Sequence, residues 1–120
     1  MEKKELGVME SRFADLVWER EPISTYDLVL LCEKEFKWKR STTYTVLKRL
    51  SEGGIFENDN GTVRSVISRS GYYALRTESL VDKLFDGSLS KFIAAFTSVK
   101  PLSAEEADQI RKILDENEGK

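Results

Sequence analysis

The chain has 120 residues, with 19 Lys and Arg against 21 Asp and Glu, a formal charge of −2 and a sequence pI near 5.3. It contains no histidine and one cysteine, Cys32. Histidine triads, histidine metal sites, intrachain disulfides and paired-cysteine zinc or redox sites are therefore excluded. The expectation is a single domain, or a small domain with an appendage, that is not an enzyme and needs neither cofactor nor metal. A lone thiol points to a reducing compartment. No window approaches ~18 consecutive apolar residues, and the opening MEKKELG has no apolar signal core. A soluble cytoplasmic protein with no membrane partner is expected.

In chain order, Leu6, Met9, Phe13, Leu16 and Val17 recur at helical spacing and predict a first helix from Leu6 to Arg20, with Trp18 at the edge of its stripe. Glu21-Pro22 ends it, because proline holds the residue before it extended. Ile23 is then a single extended residue able to pair with a small sheet. Ser24-Thr25 offers a cap, with Asp27 in capping-box position, for a second helix whose apolar face is Leu28, Val29, Leu31, Cys32 and Phe36. Cys32 reads there as a small core residue. Lys37 to Arg40 form a basic loop around Trp38. Ser41 is the expected cap of a third helix, Thr42 to Glu52, with Thr43, Val46, Leu47 and Leu50 inward, Thr42, Thr45, Lys48, Arg49 and Glu52 outward, and Tyr44 between the two. Gly53-Gly54 closes it. Two β-prone runs around Asn60-Gly61 predict a hairpin with a type I′ turn.

The remainder is helical. Tyr72, Tyr73, Leu75, Leu80, Val81, Leu84 and Phe85 lead to Asp86-Gly87-Ser88, a stop followed by a new cap. Leu89, Phe92, Ile93, Phe96 and Val99 mark a helix ended by Pro101, and Ser103 with Glu106 opens a last one carrying Ala107, Ile110, Ile113 and Leu114. The layout is mainly α with a small β-hairpin. Residues 1–68 read as a winged helix-turn-helix DNA-binding domain and residues 69–120 as a helical dimerisation region. Roughly 50 residues of helix rarely build a private core. The stripes carrying Leu84, Phe85, Leu89, Phe92, Ile93, Phe96, Ile110 and Leu114 must therefore dock on the first domain or pair with a second copy, and a homodimer is expected.

The charge is uneven. Lys34 to Arg49 hold six basic residues and one acid, a local +5, and no acid occurs between Phe36 and Leu50. From Pro101 onward the balance is −3. Since phosphate contacts supply most non-specific DNA affinity, the third helix becomes the candidate reader of double-stranded DNA. Thr42, Thr45, Lys48 and Arg49 would read or hold DNA, Lys39, Arg40 and Tyr44 would grip backbone, and Arg64 would act from the hairpin. The competing reading makes the domain a protein–protein interaction module in which these residues are a solvated face and Arg49 pairs with Glu52.

The stretch from Trp38 through Thr42, Thr45, Leu47, Arg49 and Leu50 to Gly54 resembles the W-x-x-x-T-x-x-T-x-L-x-R-L-x-x-x-G signature of the penicillinase-repressor (BlaI/MecI/CopY) family of winged-helix transcriptional regulators. Leu6 to Trp18 is similar to that family's first helix, and Phe85 to Leu89 and Leu102 to Glu106 look like its linkers between dimerisation helices. The resemblance implies a dimeric repressor on a dyad-symmetric operator. It also brings in a regulatory protease as a candidate partner. At the position matching the family's Asn-Phe cut site this chain has Ala95-Phe96, and where the family often has serine after the tryptophan it has Lys39. The paired cysteines of the copper-sensing branch are absent from the sequence.

Overall fold

A computed structural model describes residues 5–119. The described residues form six helices and three short strands. The chain divides into two compact units, Met1–Ser79 and Leu80–Lys120.

In the first unit, α1 spans Val8–Arg20, β1 Ile23–Ser24, α2 Thr25–Phe36, α3 Arg40–Glu52, β2 Phe56–Asp59 and β3 Thr62–Ser65, and the first turns of α4, Arg69–Phe85, complete it. The sheet is antiparallel with order β1-β3-β2, pairing Ile23 with Val63 and Asp59 with Thr62. Asn60 and Gly61 form the two-residue turn at φ 51° and 89°. Positive φ at both positions is what a type I′ hairpin demands. The extended segment after Pro22 covers two residues rather than one, because Ser24 pairs with Thr62 before capping α2 by accepting the Asp27 N–H at 3.0 Å.

One core unites these elements. Phe13, Ala14 and Val17 of α1, Leu28 and Cys32 of α2, Thr43, Val46, Leu47 and Leu50 of α3, Ile55, Phe56, Val63 and Tyr72 are buried. The inward face of α3 is the quartet its spacing indicates. The α1 stripe differs from expectation at its start. The helix begins at Val8, so Leu6 lies outside it and packs on the core from an extended segment, Met9 is exposed, and Ala14 takes the buried place beside Phe13. Trp18 is a hub rather than an edge residue. Its ring meets Phe56, Tyr72 and Tyr73 at 5.5 to 6.2 Å, and its Nε1–H donates to the Ile67 carbonyl at 3.1 Å. Glu21 joins the end of α1 to β3, its carboxylate accepting from the Ser65 backbone N–H at 2.7 Å and hydroxyl at 2.8 Å.

Cys32 is buried beside Thr43 as a core residue. Burial pushes its thiol up to about 11, with the Thr43 hydroxyl opposing the shift.

In the second unit, α5 spans Leu89–Val99 and α6 Ala104–Asn117. Asp86 and Gly87 adopt positive φ and stop α4, and Ser88 then caps α5 by accepting the Lys91 N–H at 3.2 Å. Ser103 caps α6 in the same manner through Glu106 N–H at 3.1 Å. The Phe85, Phe92 and Phe96 rings form a run with centroids 5.7 and 6.4 Å apart. Neither α5 nor α6 contains a buried residue, and Leu84, Leu89, Ile93, Phe96, Val99, Ile113 and Leu114 are exposed. Among the described residues no helix is long and apolar enough to cross a membrane.

Candidate nucleic-acid interface

The basic loop before α3 is held by its own aromatic residue. Lys37 ends α2 in the left-handed conformation at φ 58°, its N–H reaching the Glu33 carbonyl at 3.0 Å. The chain then turns Trp38 inward, where it stacks on Phe13 at 5.9 Å and meets Phe36 at 4.9 Å. That anchoring leaves Lys37, Lys39 and Arg40 exposed around a fixed point.

It also moves the start of α3. The helix begins at Arg40 with Lys39 in the cap position, not at Thr42 with Ser41 as cap. The Lys39 carbonyl accepts both the Thr42 and Thr43 N–H groups at 3.0 and 3.2 Å, so the turn is closed by backbone and needs no serine side chain. Ser41 lies in the first turn, and its carbonyl takes the Thr45 hydroxyl proton at 2.9 Å. Thr45 thus has its hydroxyl donor committed to the preceding turn of its own helix. Thr42 is half-buried, while Thr45 and Lys48 are exposed one and two turns further along.

Tyr44 sits at the flank of this face, only partly exposed. The neighbouring Thr25 hydroxyl and Arg40 guanidinium hold its pKa below the ordinary tyrosine value. The Arg40 guanidinium also lies 5.9 Å from the ring centroid. Tyr44, Leu47, Lys48, Ser51 and Asn58 line a groove of about 370 Å³ between α3 and β2. Ser51 and Asn58 are members of this surface that spacing along one helix does not reveal, since the hairpin supplies one of them.

The acid that Arg49 meets is not the one the competing reading expects. The partner of Arg49 is Glu10 of α1, with Nη1 2.6 Å from Oε2, and not Glu52 one turn on. Arg49 is half exposed and Glu10 largely covered, so the segment without acids receives one from the fold. The available signal for Glu10 is its place three residues after Gly7, whose N–H donates to Oε1 at 3.1 Å in half of a capping box. Arg64 projects from β3 and sits 3.6 Å from Asp59 across the hairpin, both well exposed, a pairing of little energetic weight.

Three helices with a β-hairpin after the third, and a cationic, hydroxyl-bearing outer face on that third helix, define a winged helix-turn-helix protein. The family model described as penicillinase repressor matches residues 6–116. The chain is 26% identical over 120 residues to the penicillinase repressor of Bacillus licheniformis, covering 97% of this chain and 90% of that protein. It is 20% identical over 114 residues to the methicillin resistance regulatory protein MecI of Mammaliicoccus sciuri and of Staphylococcus aureus, covering 92% of this chain and 93% of theirs. The chain belongs to the penicillinase repressor family.

Proposed function

We propose that this chain is a cytoplasmic transcriptional repressor that binds duplex DNA as a homodimer on a dyad-symmetric operator. The observation that carries the reading is α3 itself. Its inward face is wholly buried, which fixes the helix on the domain, and its outward face presents Thr42, Thr45, Lys48 and Arg49 with no acid from Lys37 to Arg49. In a helix-turn-helix this second helix of the motif enters the major groove. Lys39, Arg40 and Tyr44 lie over phosphates on its flank, and Arg64 reaches the backbone from the wing.

Residues 1–68 form the DNA-binding part and residues 69–120 the dimerisation part. Leu84, Phe85, Leu89, Phe92, Ile93, Phe96, Ile110 and Leu114 make the self-complementary surface. Support comes from α5 and α6, which bury none of their residues within one chain. Release follows loss of the dimer, because two linked half-sites bind far more tightly than one.

Footprinting on DNA upstream of the protein's own gene tests the reading. A protected dyad with half-sites about one helical turn apart is expected. Lys39→Ala should lower affinity on every duplex and reduce the salt slope by about one. No salt-dependent duplex binding by the wild type refutes the proposal and favours a protein–protein module.

A further inference from the structure

We propose that Glu10 is a positioning residue for DNA reading, orienting the Arg49 guanidinium that α3 presents. The inference rests on α3 being the DNA reader. Glu10 stands on the first turn of α1 with its side chain only 13% exposed, and its two oxygens do different jobs. Oε1 accepts the Gly7 N–H at 3.1 Å, which fixes the carboxylate to the start of its own helix. Oε2 takes Arg49 Nη1 at 2.6 Å.

A guanidinium is a rigid plane with five donors. Gripping one end of it sets the direction of the rest. Arg49 remains half exposed, so part of its side chain stays open to a ligand on the helix that carries the exposed Lys48 and Thr45. A free arginine loses much rotamer freedom when it meets a phosphate or guanine. One already held by a fixed carboxylate loses less, so the contact depends more sharply on where the partner sits.

The charge of Glu10 acts in the opposite sense. A carboxylate near a phosphate repels it, so by charge alone removing Glu10 tightens binding to any duplex. Positioning and simple electrostatics therefore predict opposite signs for the preferred sequence.

The test uses the full chain and two probes: a duplex selected from a random pool by the wild type, and a scrambled duplex of the same composition. Glu10→Gln keeps an oxygen acceptor for Gly7 but lacks the charge. It should lower the ratio of affinities, selected over scrambled, about tenfold, the lower end of what one well-placed side-chain contact to a base contributes. Affinity for the scrambled duplex should hold or rise. In an Arg49→Ala background the same change should do nothing further to the ratio. Arg49→Lys, which keeps the charge without the fork, should reproduce the loss and serves if Glu10→Gln folds poorly.

Equal tightening on both duplexes makes Glu10 an electrostatic brake and overturns the proposal. Parallel weakening on both, in step with a lowered melting temperature, makes it structural only and overturns it as well. A wild type that binds no duplex above background refutes DNA reading itself, which separates that failure from the other two.

Discussion

Replacing Phe96 by alanine is expected to weaken self-association about thirtyfold. Phe96 is 47% exposed within one chain, so close to half of its surface is left for a partner to cover. Full burial of a phenylalanine side chain is worth about 1.5–3 kcal/mol, which makes the uncovered half worth about 1 kcal/mol. In a two-fold interface the same residue acts twice, raising the loss to about 2 kcal/mol per dimer. At 1.4 kcal/mol for each tenfold change, the dissociation constant rises about thirtyfold. Sedimentation equilibrium across a dilution series reads this directly. Circular dichroism on the same samples checks that α5 survives the lost contact with Phe92. A wild type that sediments as a 13.8 kDa species at low micromolar concentration refutes the reasoning, as does an unchanged dissociation constant in a variant of native helix content.

Two predictions concern the first unit. Trp18→Phe keeps an aromatic ring against Phe56 and Tyr72 but deletes the indole donor to the Ile67 carbonyl. It should cost about 1–3 kcal/mol, seen as a lower urea midpoint with an unchanged slope. Cys32 makes stability sensitive to alkali. Its folded-state pKa of about 11 lies above the ordinary 9.0, so the neutral thiol is favoured in the folded chain. Its contribution is complete below pH 9 and is lost as pH rises toward 11. The wild type should lose on the order of 1 kcal/mol per pH unit relative to Cys32→Ala across that window. A difference that stays constant from pH 8.5 to 10.5 would falsify the assignment of this effect to the thiol.

Local pattern carried most of the secondary structure. The quartet Thr43, Val46, Leu47 and Leu50 is legible because a helix packed on a core imposes its own period. Asn60-Gly61 is legible because few residue pairs accept positive φ twice in succession. Ser88 and Ser103 are legible as caps because each short hydroxyl meets an N–H three residues on, and nothing distant competes. The failures share a cause. Ser41 is a good cap by composition, but the Trp38 anchor and the left-handed turn at Lys37 place the helix start at Arg40. Met9 fits a helical stripe, yet the path of the chain before Val8 decides which face of α1 meets the core. Arg49 has an acid three residues away in sequence, while its partner stands 39 residues away, and no spacing within α3 encodes that. The candidate interface was readable where it depends on one helix and hidden where α1 or the hairpin completes it.

Thr25 has a consequence for how such a surface meets its target. Its backbone N–H donates to the Gly61 carbonyl at the hairpin tip at 2.9 Å, and its side chain stands beside the Tyr44 phenol on α3, lowering that phenol's pKa. The first residue of α2 thus ties to the hairpin tip and neighbours α3. On the proposed reading, duplexes whose local width departs from the spacing of those two elements would have to deform to be bound, and bendability at positions the protein never touches would enter what it discriminates.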